Sequence, residues 1–193
     1  MNTRKRVYLD SCVLIELVKH KVGAATKQTD RANDVSYVDA LLEAARANEI
    51  DVLTSGLSVV ECISVNDKEK ELLARDLFAL ANKQTEKFFS GLLESGRSGI
   101  KLIQPTSPIQ TKARDLRWLW NLSLKGFDSV HTASALFMKC DELLMTDDKF
   151  FANAEKLSAR GLPIRKPSDT KCLPEARKQQ NLELKLASDT SSE

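Results

Sequence analysis

The chain has 193 residues, of which 42% are hydrophobic and 29% charged, and this composition is typical of a single globular domain. Its 7 glycines and 5 prolines are too few for a β-sandwich, a fibre or a disordered chain, so the composition favours a helix-rich protein. The net charge of +2 excludes a polycation, and any surface for nucleic acid must therefore be a local patch.

The four cysteines, Cys12, Cys62, Cys140 and Cys172, form no C-x-x-C pair. Three of them lie in apolar or helical stretches, which is typical of reduced, buried thiols rather than of disulfides or zinc ligands. The basic start of the chain precedes an apolar run too short for a signal peptide, and no apolar run approaches the roughly 20 residues of a membrane span. These observations predict a cytoplasmic protein without a membrane segment.

The first half of the chain alternates between strand patterns and helix patterns. In chain order these patterns predict a strand at 6–9, a helix at 11–20, a polar loop at 23–33, a helix at 34–48, a strand at 50–54 and a helix that opens at Ser58. The following stretch at 67–90 is rich in Lys, Glu, Leu and Ala, and it predicts one long helix or a pair of helices.

After a turn at 94–99 the alternation continues. The patterns predict a strand at 100–103, a helix at 106–124, a helix from Asp128 to about 139, a strand at 142–146, a short helix to about 160 and a strand at 162–165. Pro163 predicts that the last strand lies at a sheet edge. The sequence indicates a domain at 1–166 and a polar C-terminal tail at 167–193, to which we assign no structure.

Strands separated by helices predict a mainly parallel sheet with helices on both faces, and ligands of such sheets bind at the carboxyl ends of the strands. Four acidic positions fall near such ends. Asp10 ends the first strand, Glu61 lies in the first turn of the helix after the second strand, and Asp128 opens a helix. Asp147 or Asp148 ends the strand at 142–146. We therefore expect these acids to converge.

A local explanation exists for each acid taken alone. Asp is a preferred N-cap residue, Ser58-x-x-Glu61 fits a capping box, and Asp147 can cap the helix that follows it. However, two carboxylates about 4 Å apart repel by roughly 4 kcal/mol at an effective dielectric near 20, whereas one cap contributes about 1 kcal/mol. A divalent cation removes this repulsion, and carboxylate oxygens are suitable ligands for Mg²⁺ or Mn²⁺.

Four motifs in order carry a resemblance to a known family. They are Val7-Tyr-Leu-Asp10-Ser, Ser58-x-x-Glu61, Asp128-Ser-Val-His-Thr-Ala-Ser-Ala and Leu-Met-Thr146-Asp-Asp148-Lys-Phe-Phe151. Each is unspecific alone, but their order and the elements between them resemble the PIN-domain family, from residue 6 to about 166. The pattern is most similar to the VapC-type ribonuclease toxins, although this chain is longer than a compact toxin of that type.

The resemblance implies a three-layer α/β/α PIN-like fold with a mainly parallel central sheet of about five strands. It also implies a divalent-metal-dependent endoribonuclease that hydrolyses RNA phosphodiester bonds with one or two Mg²⁺ or Mn²⁺ ions. Asp10, Glu61 and Asp128 match the family's first three acids, and Thr-x-Asp-x-x-Phe selects Asp148 as the fourth, with Asp147 as a supporting candidate. The toxin role in a type II toxin–antitoxin pair, an antitoxin partner and a homodimer are implied by the resemblance alone.

Several residues around the acids have two interpretations. His131, three residues after Asp128, is a candidate general acid or base, but we favour a structural histidine because carboxylates and metal-bound water suffice for hydrolysis. The stretch 101–125 carries five basic residues against one acidic residue, and Trp118 and Trp120 lie in it. It is typical either of a phosphate-binding patch with a base-stacking ring or of a solvated helix face, and we interpret Trp120 as a core residue.

Other functions are less consistent with these residues. A haloacid-dehalogenase-like phosphatase also has an Asp after its first strand, but its chemistry needs a second Asp where this chain has Cys12. The sequence contains no G-x-x-x-x-G-K-[ST], G-x-G-x-x-G or G-x-S-x-G motif. A non-catalytic PIN-like RNA-binding or scaffold protein stays open as the alternative, and the presence of all four acids favours the enzyme.

Overall fold

Five parallel strands form the central sheet of the protein in a computed structural model, which describes residues 4–21, 29–62, 83, 86–94 and 96–190. The strands are β1 (Arg6–Leu9), β2 (Asp51–Ser55), β3 (Ile100–Ile103), β4 (Glu142–Leu144) and β5 (Ile164–Arg165). They lie in the order β3-β2-β1-β4-β5, so β1 is central and β5 is an edge strand, as Pro163 predicts. The predicted parallel sheet of about five strands is confirmed.

Helices connect these strands. The described residues form α1 (Ser11–Lys21), α2 (Thr29–Arg46), α3 (Leu57–Glu61), α4 (Ser107–Trp118), α5 (Gly126–Phe137), α6 (Ala154–Ser158) and α7 (Glu175–Thr190). A π-helical turn at Ser90–Glu94 precedes β3, and 3₁₀ turns lie at Asp148–Asn153 and Pro167–Asp169. Within the described residues, none of the helices has the length and apolarity needed to cross a membrane.

The side chains of β1 alternate between the two faces of the sheet, as they must in a pleated strand. Val7 and Leu9 pack with α1 and α2 in a first core, whereas Tyr8 packs with α4 and α5 in a second core. All three side chains are completely buried. The sheet is therefore a layer between two layers of helices, and β1 is buried on both faces.

Two predicted helix boundaries are wrong. The helix predicted at 34–48 begins at Thr29, inside the predicted loop, where Arg31 pairs with Glu16 at 2.8 Å and fixes the first turns of α2 against α1. The helix predicted at 106–124 ends at Trp118, because Asn121 has a φ of 49° and Leu122 and Leu124 enter the second core from outside the helix.

The long helical stretch predicted at 67–90 lies mostly outside the described residues. Residues 86–89 are helical, as predicted. In the tail, where we assigned no structure, the chain forms α7, whose Asn181 side chain donates to the Ser36 hydroxyl of α2 at 3.4 Å. The division between a domain ending at residue 166 and a tail stays a prediction.

Candidate functional site

Asp10 lies at the carboxyl end of the central strand, between the ends of β2 and β4. This is the point at which the strand order reverses, and open parallel sheets bind ligands at such points. Its side chain is largely buried, and Oδ2 accepts a hydrogen bond from the backbone N–H of Cys12 at 3.1 Å. Asp10 thus caps α1, and the same carboxylate faces the carboxyl edge of the sheet.

Glu61, the last residue of α3, is held by two partners. Its Oε2 atom lies 2.7 Å from Nε2 of the buried His131 side chain, and the Ser11 hydroxyl also hydrogen-bonds to it. Burial raises the pKa of Glu61, but the interactions with His131 and Ser11 lower it more, and the net pKa is below its ordinary value of 4.5. Glu61 is therefore an ionised carboxylate fixed beside α1 and α5.

Asp128 is the third residue of α5 and is half-buried. Its Oδ2 atom accepts a hydrogen bond from the backbone N–H of Lys125 at 3.2 Å. The pKa of Asp128 is raised above 3.8, first by burial and then by the negative charges of Asp10 and Glu61, against the opposing effect of Lys125. Asp10 and Glu61, predicted from distant motifs, therefore both lie within electrostatic range of Asp128, and Glu61 and Asp128 also line one cleft.

Asp147 and Asp148 have different surroundings. Asp147 caps the 3₁₀ turn that follows β4, with Oδ1 accepting from the backbone N–H of Lys149 at 3.0 Å. The Asp148 side chain is 82% exposed, and its Oδ1 lies 3.1 Å from Nζ of Lys166. Asp10 and Glu61 thus lie near enough to act on the charge of Asp128, and no such effect links Asp147 or Asp148 to it among the described contacts. The roles predicted for all five acids stay predictions.

The capping box predicted at Ser58-x-x-Glu61 is not formed. The N-cap of α3 is Gly56, and the Ser58 side chain is fully buried with its hydroxyl 2.7 Å from that of Thr54. Thr54 in turn donates to the backbone carbonyl of Leu9 at 2.8 Å. This chain of hydroxyls joins the ends of β1 and β2, so Glu61 is available to His131 rather than to its own helix.

Sequence reasoning missed the partner of His131 on the side away from Glu61. The hydroxyl of Tyr8 lies 3.0 Å from Nδ1 of His131, with both side chains buried. Burial lowers the pKa of His131, but the Glu61 hydrogen bond and the charges of Asp10, Glu61 and Asp128 raise it above 6.5. A buried tyrosine hydroxyl needs a partner, so a Tyr within an apolar strand was the available signal. Both ring nitrogens are engaged, which matches the structural interpretation of His131.

The basic residues predicted to contact nucleic acid are divided between regions. Lys101 pairs with Asp51 at 2.7 Å, and Arg4 and Arg6 lie 3.8 Å from the same carboxylate, at the amino end of β2. This is the edge of the sheet opposite the acids. Lys125 is the basic residue that lies beside Asp128.

The two tryptophans also differ. Trp118 is 75% exposed and has the Arg114 guanidinium 5.8 Å from its ring centre. Trp120 packs against the second core, with the charged groups of Lys112 and Arg160 at 5.2 and 4.6 Å from its ring centre. The interpretation of Trp120 as a core residue therefore holds, and Trp118 is the exposed ring.

Asp10, Glu61 and Asp128 have the donor atoms that a divalent cation prefers. Three carboxylates supply hard oxygen donors, and their mutual repulsion is what a cation would relieve. Within the described part of the chain, no three His, Cys, Asp or Glu side chains are placed to hold one ion. Mg²⁺ commonly keeps several waters and uses only one or two carboxylates, so the donor chemistry fits.

The backbone is similar to two solved structures. A chain of the crystal structure of FitAcB from Neisseria gonorrhoeae aligns with a TM-score of 0.50 and 18% sequence identity, over 85% of this chain and 99% of that chain. A chain of the structure of FitAB bound to an IR36 DNA fragment aligns with a TM-score of 0.50 and 18% identity, over 86% and 97%. No family model and no curated protein matches the sequence. The similarity is one of fold, and the predicted three-layer α/β/α PIN-like fold is confirmed.

Proposed function

We propose that the protein is a divalent-metal-dependent endoribonuclease that hydrolyses RNA phosphodiester bonds. The observation that carries the proposal is the convergence of Asp10, Glu61 and Asp128 at the strand-order reversal of a PIN-like fold. Each acid comes from a different connection of the sheet, and the local alternative for Glu61, a capping box, is not formed. A role in stability alone gives no reason to gather like charges.

In the proposed mechanism Asp10 and Asp128 would be the principal residues that hold Mg²⁺ or Mn²⁺, and Asp148 would assist them. Glu61, which is held by His131 and Ser11, orients the attacking water toward the scissile phosphate. When bound, the ion supplies Lewis-acid polarisation of the phosphoryl oxygen and lowers the pKa of its water. His131 acts by fixing the direction of the Glu61 carboxylate.

The test is the RNA cleavage rate of Asp10→Asn and Asp128→Asn. Both variants keep the size and the hydrogen-bonding oxygen of the side chain, so the introduced amides can still serve α1 and α5 while the negative charge is lost. We expect each to reduce cleavage by at least about 100-fold, as removal of one stabilising group in a catalytic site commonly does. The measurement is single-turnover cleavage of a labelled RNA in Mn²⁺.

Asp141→Asn is the matched control. Asp141 lies at the amino end of β4 and pairs with Lys5 at 2.6 Å, on the edge of the sheet opposite the acids. It should cleave at the wild-type rate, and circular dichroism should show that all three variants are folded. Wild-type cleavage by Asp10→Asn would refute the mechanism.

A non-catalytic PIN-like RNA-binding or scaffold protein is the second candidate. It is favoured by one observation, that no three metal-binding side chains are in place among the described residues. The two candidates differ in metal binding, because an ion that binds only the folded state raises its melting temperature. The enzyme predicts that Mn²⁺ raises the melting temperature of wild type more than that of Asp10→Asn, and the second candidate predicts no effect in either.

We also propose that the protein is the toxin of a type II toxin–antitoxin pair, with an antitoxin partner and a homodimeric state. The similar structures support a role within a larger complex, since FitAB was solved bound to a DNA fragment. The alignment with this chain covers 97% of the matched FitAB chain. Co-expression with the product of a neighbouring small open reading frame tests the pair. Growth arrest that this product relieves supports it, and growth unaffected by the protein alone contradicts it.

A further inference from the structure

Phe127 is an aromatic side chain that belongs to neither core of the protein. It is the second residue of α5, directly before Asp128, and it is 56% exposed. The ring lines the same cleft as Asp128, so a ligand that enters this cleft can contact both side chains.

A cleft of about 660 Å³ is lined by this ring and by Glu61 and Asp128. We call it the Phe127 cleft, and its walls include Glu61, Pro105, Gln110, Lys125, Phe127 and Asp128. Its volume falls within the roughly 300–1,000 Å³ of pockets that hold small ligands. A larger groove of about 1000 Å³ lies between α1, α2 and α7 and has none of the four predicted acids in its walls. The Phe127 cleft is thus a cavity that has two of those acids, Glu61 and Asp128, in its walls.

The walls of the cleft combine charged groups with an aromatic ring. The carboxylates of Glu61 and Asp128, the Phe127 ring and the exposed Lys125 side chain all line it. A purely apolar ligand would match the Phe127 ring but not the charged side chains that line the cleft. A nucleotide combines a flat π surface, which stacks on an aromatic ring, with a phosphate, which pairs with a lysine.

We propose that the Phe127 cleft is a subsite for one unpaired nucleotide of a single-stranded RNA, next to the scissile phosphate. Its base stacks on Phe127, and its phosphate pairs with Lys125. The inference rests on the proposed ribonuclease function and assigns Phe127 and Lys125 to the binding of its substrate. A base in a duplex is already stacked and cannot cover the ring. Stacking tolerates any base, so the subsite selects strandedness rather than sequence.

The test measures the binding of a labelled single-stranded oligoribonucleotide, with Asp10→Asn as the background so that the RNA stays intact. Phe127→Ala should raise the Kd about tenfold, within the roughly 5- to 150-fold range that corresponds to loss of one stacked base, and Phe127→Trp should restore it. Lys125→Ala should weaken binding and reduce the salt dependence by about one counterion. A fully paired duplex should bind equally to Phe127→Ala and to its parent.

Phe137→Ala is the matched control, since Phe137 is 48% exposed and ends the same helix, about 15 Å along its axis from Phe127. It should leave the Kd unchanged. Equal affinity of Phe127→Ala and its parent for single-stranded RNA would overturn the subsite, as would an equal loss in both Phe variants. The subsite would also be overturned if Phe127→Ala bound RNA normally but lost an association with another protein, because the cleft would then be a docking surface for protein.

The two proposals fail in different ways. If Asp10→Asn cleaves RNA normally, the ribonuclease mechanism is wrong. The subsite still stands if Phe127→Ala weakens single-strand binding when this is measured in EDTA on RNA shown to be intact. If Asp10→Asn is inactive and Phe127→Ala binds like its parent, the ribonuclease stands and the subsite is wrong.

Discussion

The pair formed by Glu61 and His131 is the most constrained contact of the acidic site. His131 is almost fully buried, the Glu61 side chain is 21% exposed, and 2.7 Å separates Oε2 from Nε2. Removing one partner of such a pair leaves a charge with little access to water, which is costly. The position of Glu61 therefore depends on a residue that need not touch the substrate.

The pair makes stability depend on pH in a defined window. The pKa of His131 is raised, so its contribution is present below its ordinary 6.5 and is lost as pH rises through the raised value. The pKa of Glu61 is lowered, so its contribution is present above 4.5 and is lost as pH falls through the lowered value. In EDTA, we expect His131→Gln to lower the free energy of unfolding by about 1–3 kcal/mol at pH values between the lowered pKa of Glu61 and the raised pKa of His131. The loss should be smaller at pH values outside this window.

Urea unfolding across this range measures the effect. His20→Gln is the control, because His20 is exposed at the end of α1 and should show no such window. A difference between wild type and His131→Gln that does not vary with pH would mean that the pair is not ionised.

For single residues, the sequence indicated which acids lie at strand ends and helix starts, but it did not indicate which side chains contact one another. Asp10, Glu61 and Asp128 were predicted because the ends of strands and the starts of helices are visible as local patterns. The partners of His131 lie 70 and 123 positions away along the chain, and no local pattern encodes which side chains packing brings together. Phe127 was missed for a similar reason, since exposure of a ring depends on what the rest of the chain covers.

At the scale of elements, Glu142 of β4 fixes the segment that follows β5. This carboxylate is 1% exposed, and it accepts hydrogen bonds from the Thr170 hydroxyl and from the backbone N–H groups of Lys171 and Cys172, at 3.2 and 3.3 Å for the latter two. Nε of Arg165 lies 3.3 Å from its Oε2 atom. The chain leaving the sheet is thus attached to the strand next to its centre.

We expect Glu142→Gln to lower the free energy of unfolding by about 1–3 kcal/mol, since an amide cannot accept all of these bonds and leaves buried donors unpaired. Hydrogen exchange should quicken at the Lys171 and Cys172 amides before other regions. Asp141→Asn, at the neighbouring exposed ion pair, should cost no more than about 1 kcal/mol. Unchanged exchange at these amides in Glu142→Gln would contradict this role for Glu142.

Strands were more predictable than helix ends. β1 and β3 occupy their predicted residues, because a short apolar run marks each of them and Pro105 follows β3. The turn before β3 was also predictable: Gly99 has a φ of 84°, and a Cβ there would lie 2.9 Å from that of Ala45. The start of α2 and the whole of α7 depend instead on pairs such as Arg31–Glu16 and Asn181–Ser36, which local composition does not indicate.

At the scale of the whole molecule, the sheet joins two cores that share β1. Leu9 lies in the first core and Tyr8 in the second, although they are consecutive residues of one strand. Neither core can lose its strand without exposing the other. The two should therefore unfold in one transition.

Leu41→Ala tests this coupling. Leu41 is completely buried in the first core on α2, so its truncation should cost about 2–5 kcal/mol. Trp120 packs against the second core, and its fluorescence should report the same shifted midpoint as circular dichroism. Leu116→Ala, in the second core, should shift both signals in the same way. A fluorescence midpoint that does not move in Leu41→Ala would show that the cores unfold separately.

The central position of β1 also determines when the sheet can form during translation. Arg6 and Asp141, hydrogen-bonded across the start of β1 and β4, lie 135 positions apart. At about 5–20 residues per second, ribosomes need roughly 7–27 s to make the chain between them. During that interval the edge of β1 that pairs with β4 has no partner strand. Asp10 is likewise synthesised long before Asp128. The nascent chain therefore cannot assemble the acidic site until α5 has left the ribosome, and until then β1 is a candidate client for a chaperone.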